Sequence, residues 1–399
     1  MPEKKILSAN GNQMVAEAYR QAAPDVVCAY PITPQTTIVE NFAKYVAQGR
    51  VHTELVTVES EHSTMSACVG SCAAGARTFT ATSSQGLAYM VEELPIASGL
   101  RLPIIMAHAN RAIAAPININ CDHSDVMLAA NCGWLMFFAE NAQEAYDNTL
   151  VAIRSAEDHR VLLPAITALD GFITSHAMER CELMDDETVA AFVGEREALY
   201  PLLDTANPVA VGSYTNAEPH YEVKKSQRAA MEAARGVIKE YGDKWAQVCG
   251  RPFDMVDCYG CEDAELIAVV MGSCAGNLRH VARELRAQGK KVGVARIRVY
   301  RPFPAEELAA ALGSAKAVAV LDRSETYGGQ MGPLALETAS ALFQAGMSLP
   351  LKGYLYGLGG PDVTLDDMRR VFRELELLAA GDASVDTKVA HLGSEKEGE

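Results

Sequence analysis

The chain reads as an α/β protein with parallel sheets and helices on both faces, and three features carry that reading. Short apolar, β-branched runs alternate with helix-length segments through the first ~180 residues, the pattern of βαβ units. The alternation restarts at Glu265 after a polar interval. Strand-like runs also end in turns bearing polar or charged groups: Val26–Tyr30 runs into Pro31-Ile32-Thr33-Pro34, and Leu55–Val58 into Glu59-Ser60-Glu61-His62. Two more end at Ser83-Ser84-Gln85-Gly86 and at Asn110-Arg111. In an open α/β sheet, ligands bind in the crevice outside the carboxyl ends of the strands.

In order along the chain, Asn12 is placed to cap a helix over Gln13–Gln21, and Val26–Tyr30 is the first buried strand. A helix over Thr36–Ala47 stops at Gly49, and Val51–Val58 supplies the next strand. Glu61–Ala74 reads as a helix rich in small residues, closed by Gly75. Further strands fall at Arg77–Thr82, Leu102–His108, Leu135–Phe138 and Val161–Leu169, with helices at Gly86–Ala97 and Ala142–Glu157. Residues 181–262 carry acidic stretches, Pro201, Pro208, Pro219 and a long polar helix over Tyr221–Cys249, so they read as a connector and not as a third core.

Beyond it come strands at Leu266–Met271, Val292–Val299, Ala317–Leu321 and Lys352–Tyr356. Helices follow Gly272-Ser273-Cys274-Ala275-Gly276, then occupy Ala305–Leu312, Pro333–Gln344 and Leu365–Leu375. The expected division is therefore 1–180, a connector at 181–262, a second α/β unit at 263–378, and a polar, mobile tail at 379–399. There is no internal repeat.

A length of 399 residues exceeds one typical core and predicts two domains. The formal net charge of −16 argues against phosphate-backbone binding, so no nucleic-acid partner is expected. No run of about 18 apolar residues is present to span a bilayer, and Met1–Lys5 does not open a signal peptide; the chain reads as cytoplasmic. The ten cysteines are scattered, which in that compartment means thiols. Cys258-Tyr259-Gly260-Cys261 is a lone CxxC, short of the four ligands a zinc or iron–sulfur site needs, so no metal site is assigned to this chain.

Glu61 is the most telling residue. It would start a helix at a strand end, where a carboxylate also simply favours the helix dipole by ~0.3–1 kcal/mol, a part the neighbouring Glu59 could serve equally. Arg111 follows an apolar strand. Its guanidinium suits a planar carboxylate, and the alternative is a surface arginine paired with Asp122 or Asp125. Cys121-Asp122-His123-Ser124-Asp125 places a histidine among carboxylates too tightly spaced for easy chelation, which favours a loop-ordering hydrogen-bond network. The Gly272–Gly276 turn could cradle an anion at a helix N-terminus, whereas Gly357-Leu358-Gly359-Gly360-Pro361 reads as a turn. No GxSxG, HExxH or kinase set occurs.

Taken together, Tyr30-Pro-Ile-Thr-Pro34, Glu59-Ser-Glu-His62, Thr80-Ala-Thr-Ser-Ser-Gln-Gly86, Asn110-Arg-Ala112, Ala115-Pro-Ile-Asn118, Asp122-His-Ser-Asp125 and Leu169-Asp-Gly-Phe172 resemble the α subunit of the 2-oxoacid:ferredoxin oxidoreductases. Arg301-Pro-Phe-Pro304, Leu321-Asp-Arg323 and Tyr356–Gly360 extend the resemblance through the second half, in the same order. It implies a thiamine-diphosphate enzyme, with a pyrimidine-binding domain at 1–180 and a domain like the transketolase C-terminal one at 263–378. Glu61 matches the carboxylate that contacts N1′ of the aminopyrimidine and promotes its imino tautomer. Thr33 and Arg111 match the positions that meet the substrate carboxylate, and Pro31, Ser84 and Gln85 lie in motifs near the cofactor.

The family's Gly-Asp-Gly motif for diphosphate and Mg2+ is missing; Leu169-Asp170-Gly171 does not supply it. The resemblance thus implies a β subunit that completes the site, a ferredoxin-like subunit that carries electrons and a γ subunit, with Mg2+ and [4Fe-4S] clusters on partner subunits, and a chain inactive alone. The implied reaction is oxidative decarboxylation of pyruvate to acetyl-coenzyme A and CO2, or its reverse, with ferredoxin as electron carrier. The Ala-Pro-Ile-Asn and Asp-His-Ser-Asp pairing is most like pyruvate enzymes. A subunit acting on 2-oxoisovalerate or another 2-oxoacid is the first alternative, and a non-catalytic scaffold is the second.

Overall fold

The structure, a computed structural model, describes residues 4–393. β1 (Lys4–Ala9) leads into α1 (Gly11–Ala22), β2 (Val26–Ala29), α2 (Thr36–Ala47), β3 (Glu54–Thr57), α3 (Glu61–Ala73) and β4 (Thr78–Thr82). Then come α4 (Gln85–Met90), α5 (Leu94–Gly99), β5 (Ile105–Asn110), α6 (Ser124–Met127), β6 (Leu135–Ala139), α7 (Ala142–Glu157) and β7 (Ala165–Asp170). β8 (Glu179–Met184), α8 (Asp186–Val193) and the 33-residue α9 (Ala217–Cys249) link this run to the next. The second run is β9 (Val256–Tyr259), β10 (Leu266–Met271), α10 (Cys274–Ala287), β11 (Val292–Ile297), β12 (Val299–Arg301) and α11 (Ala305–Ala311). It closes with β13 (Ala317–Asp322), α12 (Pro333–Gln344), β14 (Leu351–Leu355), α13 (Leu365–Ala379) and β15 (Ala390–His391).

Two main sheets result. The first has strand order β12-β6-β7-β5-β4-β2-β3 and is parallel except for β12, which runs antiparallel to β6. The second has order β15-β14-β13-β10-β11-β9, with only β9 antiparallel. Strands such as Ile105–Asn110 and Leu266–Met271 are buried along their whole length, as expected of parallel strands covered on both faces. One apolar cluster runs from Met106, Phe138 and Ile166 on the first sheet to Ile267, Val269 and Ala295 on the second, so the two layers share a core.

The structure redraws several expected boundaries. Asn10, not Asn12, caps α1: its Oδ1 accepts from the Gln13 amide at 2.9 Å, and Gln13 Oε1 accepts from the Asn10 amide at 3.0 Å. Asn12 is instead buried, its Nδ2 donating to the Pro34 carbonyl at 2.8 Å and to Thr37 Oγ1 at 2.7 Å. The strand expected from Val161 begins only at Ala165, because Leu162 has a positive φ and Pro164 has no amide to pair. The single helix expected over Gly86–Ala97 is two, the second restarting with Pro95 in its first turn.

The 181–262 connector also holds more regular structure than expected. β8 pairs antiparallel with β1, α9 packs its second half on α7, and β9 joins the second sheet. β12, from the second run, edges the first sheet. Part of the expected tail pairs into the second sheet. Ala390–His391 pairs with Tyr354–Leu355, the Leu392 amide donates to the Leu355 carbonyl at 2.9 Å, and Leu392 is buried. The remainder of that tail, 394–399, and Met1–Glu3 lie outside the described residues.

Candidate functional site

From β2 the chain passes outward to the edge strand β3 and then returns to the other side of β2 as β4. The direction of winding therefore reverses between β2 and β4, and a crevice opens at their carboxyl ends. Thr33 follows β2, Glu61 opens α3 after β3, Ser84 and Gln85 open α4 after β4, and Arg111 follows β5. Because β5, β4, β2 and β3 are consecutive neighbours, all four expected groups lie along one edge of the sheet.

Glu61 is the first residue of α3, just after Ser60, whose hydroxyl caps the helix by accepting from the Ser63 amide at 3.2 Å. Its side chain is 9% exposed and has no hydrogen-bond partner among the described residues. It lies against Gly86 at the start of α4, where a Cβ would stand 2.9 Å from Glu61 Oε1. Thr82 Oγ1 borders the same space, and both it and Ser83 Oγ are buried without a partner among the described residues. The carboxylate and these hydroxyls leave acceptor and donor capacity unspent at a buried strand end, and Gly86 adds no side chain that would cover it.

Arg111 is 7% exposed. Its Nη1 donates to the Thr33 carbonyl at 3.0 Å and its Nε to the Asn118 carbonyl at 3.1 Å. No carboxylate pairs with its guanidinium among the described residues, so the pairing with Asp122 or Asp125 considered from sequence does not form. A nearly buried cation held only by carbonyls keeps most of its charge for an anion. Thr33 itself is exposed, as is Pro31, and Gln85 is half-buried.

Ser84 is fully buried with φ 49°, a strained region for a residue with a Cβ. Its amide donates to Asp125 Oδ2 at 2.9 Å, and its hydroxyl donates to the Ala112 carbonyl at 2.6 Å, with Gln85 Oε1 an alternative acceptor at the same distance. Asp125 also accepts from the Arg111 amide at 2.8 Å and Asn110 Nδ2 at 3.0 Å, and bonds His108 Nε2 at 2.7 Å. Burial pushes the Asp125 carboxyl up, but His108 and the converging donors hold it below the ordinary carboxylate range. This one carboxylate ties the ends of β4 and β5 together. The expected hydrogen-bond network in 121–125 is thus present.

A second buried carboxylate joins the two sheets. Asp170, at the end of β7, bonds His123 Nε2 at 2.8 Å and accepts from Ser273 Oγ at 2.6 Å, the Ser273 amide at 3.1 Å and Arg323 Nη1 at 3.0 Å. Burial opposes its charge, yet His123 and Arg323 hold it well below the usual range. The anion cradle read in the Gly272–Gly276 turn is therefore filled by the chain's own Asp170. Across the same interface Arg296 of β11 bonds Glu144 of α7 at 2.7 Å, and within its own sheet it bonds Asp257 at 2.9 Å. Two groups of possible metal ligands, Cys121/His123/Asp170 and Glu140/Glu144/Asp257, coincide with these arginine-neutralised clusters.

All ten cysteines are free thiols; Cys258 is exposed and Cys261 buried, and neither belongs to either ligand group. A hollow of about 500 Å³ lined by Cys72, Arg101, Arg196 and Tyr200 lies under the connector, where α3 ends, away from the end that carries Glu61. No helix among the described residues is long and apolar enough to cross a membrane. Asn12, Asp125 and Asn118 support the site without having been given a site role from sequence, where Asn12 was read as a helix cap, Asp125 as part of the 121–125 network or a partner of Arg111, and Asn118 only as part of a motif.

A doubly wound sheet with an acid, a cation and a small-residue turn at its switch point defines a ligand-binding α/β enzyme subunit, and comparisons with known proteins name its family. The chain belongs to the pyruvate flavodoxin/ferredoxin oxidoreductase family: the model of its thiamine-diphosphate-binding region matches residues 17–243, and that of the pyruvate:ferredoxin oxidoreductase core domain II matches residues 264–368. The resemblance read from the sequence is correct. Pyruvate synthase subunit PorA of Thermotoga maritima is 47% identical over 368 residues, spanning 92% of this chain and 94% of the relative. Ketoisovalerate oxidoreductase subunit VorA of Pyrococcus abyssi is 42% identical over 94% of both chains. Among solved structures, the 2-oxoglutarate:ferredoxin oxidoreductase of Magnetococcus marinus superposes with a TM-score of 0.71 at 20% identity, over 93% of this chain and 65% of that one. A split-gene transketolase gives 0.55 at 12% identity, over 94% of this chain and 99% of that one. These two likenesses show the fold.

Proposed function

We propose that the chain is the α subunit of a pyruvate:ferredoxin oxidoreductase, catalysing conversion of pyruvate and coenzyme A to acetyl-coenzyme A and CO2, or the reverse, with two electrons passing singly to or from ferredoxin. One observation carries the reading. Arg111, a nearly buried cation without an acidic partner among the described residues, stands on the same strand-end edge as Glu61, a carboxylate without a hydrogen-bond partner among them. An anionic substrate beside a heteroaromatic cofactor calls for that pair.

Thiamine diphosphate supplies the electron sink for decarboxylation. Glu61 holds a proton at N1′ of its aminopyrimidine, and Gly86 leaves room for the ring to reach that carboxylate. Arg111 binds the 2-oxoacid carboxylate with Thr33 beside it, and Pro31, Ser84 and Gln85 line the cofactor. Asp125 holds the Ser84 and Arg111 backbones in register, so the groups are oriented before substrate arrives.

Diphosphate and Mg2+ fall to a β subunit, [4Fe-4S] clusters to partner subunits, among them a ferredoxin-like one that carries electrons, and a γ subunit joins the complex; none of these groups is assigned to this chain. A relative named for ketoisovalerate, nearly as similar as those named for pyruvate, favours 2-oxoisovalerate as the second substrate to try. Nothing in the comparisons supports a scaffold role. The test is 2-oxoacid-dependent dye reduction by the co-purified complex: kcat/KM highest for pyruvate supports the proposal, and a clear preference for 2-oxoisovalerate replaces it with the alternative.

A further inference from the structure

The Arg111 guanidinium is not set by its own strand alone. Its Nε donates to the main-chain carbonyl of Asn118, seven residues on. Asn118 is half-buried, while Ala114, Ala115, Pro116, Ile117 and Ile119 around it are exposed. Its Nδ2 donates to the Gly359 carbonyl at 2.6 Å, across to the turn that follows β14 in the second sheet. Its Oδ1 accepts from the Asn120 amide at 2.8 Å, and the Asn120 carbonyl accepts from the Ala112 amide at 3.0 Å, which closes the loop back onto the end of β5. The Gly359 amide donates to the Cys121 carbonyl at 3.1 Å. Gly359 has φ +71°, and a Cβ there would lie 2.9 Å from both Asn118 Nδ2 and Ala112 Cβ.

From this chain of contacts we infer that Asn118 is a positioning residue: through it, the Gly357–Gly360 turn of the second unit fixes the Arg111 side chain for the substrate carboxylate. The inference rests on the carboxylate-binding role proposed for Arg111. With Nε held by Asn118 and Nη1 by Thr33, Nη2 has no partner among the described residues and is the nitrogen left to meet an anion. Removing the Asn118 amide leaves the Gly359 carbonyl only the longer bond from Asn120 Nδ2 at 3.4 Å and, with the Gly359–Cys121 main-chain bond still in place, loosens the loop at Asn118 so that the carbonyl that steadies Nε drifts. Substrate capture then suffers, while cofactor binding at Glu61 is untouched.

The experiment compares Asn118→Ala, Arg111→Lys and the double variant in the assembled complex, with thiamine diphosphate affinity as a control on folding. Asn118→Ala should raise KM for pyruvate about threefold to tenfold, the worth of one hydrogen bond, and lower kcat by less. In the double variant the two losses should fall short of their product, because both act on one guanidinium. An unchanged KM in Asn118→Ala beside a raised KM in Arg111→Lys overturns the inference and leaves the Arg111 role standing. Fully multiplicative losses overturn it too. An unchanged KM in Arg111→Lys removes the role of Arg111 and the inference with it. Should Asn118→Ala not assemble, Gly359→Ala disturbs the same joint from its other side and must raise KM in its place; an unchanged KM there overturns the inference.

Discussion

The Cα of Gly86 lies against the Glu61 carboxylate, so closely that a Cβ on it would come within 2.9 Å of Oε1 and collide with Thr82 Oγ1 as well. Gly86 has an ordinary helical conformation, so its lack of a side chain serves the approach to Glu61 and not the backbone. Gly86→Ala should therefore lower thiamine diphosphate affinity in the complex at least tenfold, with the fold retained by circular dichroism. Wild-type affinity would show that the space over Glu61 is not used.

Arg111→Ala removes charge-assisted hydrogen bonds worth about 1.5–3 kcal/mol each. kcat/KM for pyruvate should fall roughly 10- to 100-fold, with cofactor affinity preserved. An unchanged kcat/KM would take Arg111 out of the substrate site.

Asp170 fastens the two sheets through His123, Ser273 and Arg323. Asp170→Ala leaves the Arg323 guanidinium buried without that carboxylate, a loss of about 3–5 kcal/mol for a broken buried pair. Urea unfolding should show that loss, and a drop within 1 kcal/mol, smaller than any of these contacts predicts, would count against the clamp.

Two buried carboxyls give stability a pH signature with opposite signs. Asp170 is depressed below its ordinary 3.8, so its contribution is complete above that pH and drains away as pH falls beneath it. Asp322, the last residue of β13, accepts from the first-turn amides of α12 and is pushed by burial up to about 7 against the pull of those Leu334 and Ala335 amides. It takes up a proton on folding, so its contribution is full below about pH 4 and is lost as pH rises toward 7. Thermal melts of Asp322→Asn should lack that decline between pH 4 and 7 that the wild type shows. Parallel pH profiles for the two proteins would contradict it.

The strand-to-helix alternation was legible because parallel strands buried on both faces read as plain apolar runs, as in Ile105–Asn110 and Leu266–Met271. β1, β8 and β12 were not, since partly exposed or very short strands such as Lys4–Ala9 and Val299–Arg301 lack that signature. The strand-end residues Thr33, Ser84 and Arg111 could be named because each sits in a turn after such a run, and Glu61 because it follows the apolar stretch Leu55–Val58, though β3 there is a partly exposed edge strand. What joins them could not. Asp125 reaches His108 and the Ser84 and Arg111 amides only after β4 and β5 are laid side by side. The anion for the Gly272–Gly276 turn proved to be Asp170, 103 residues earlier in the chain, a pairing no local pattern encodes.

In the proposed mechanism, turnover depends on Glu61 facing the aminopyrimidine in a site that a second chain completes. The direct measurement is pyruvate-dependent dye reduction by the purified complex carrying Glu61→Gln, at saturating thiamine diphosphate. Turnover should fall by roughly 10²- to 10⁴-fold, the span of acid–base assistance, with assembly and melting temperature unchanged. Turnover within a few-fold of wild type would contradict it.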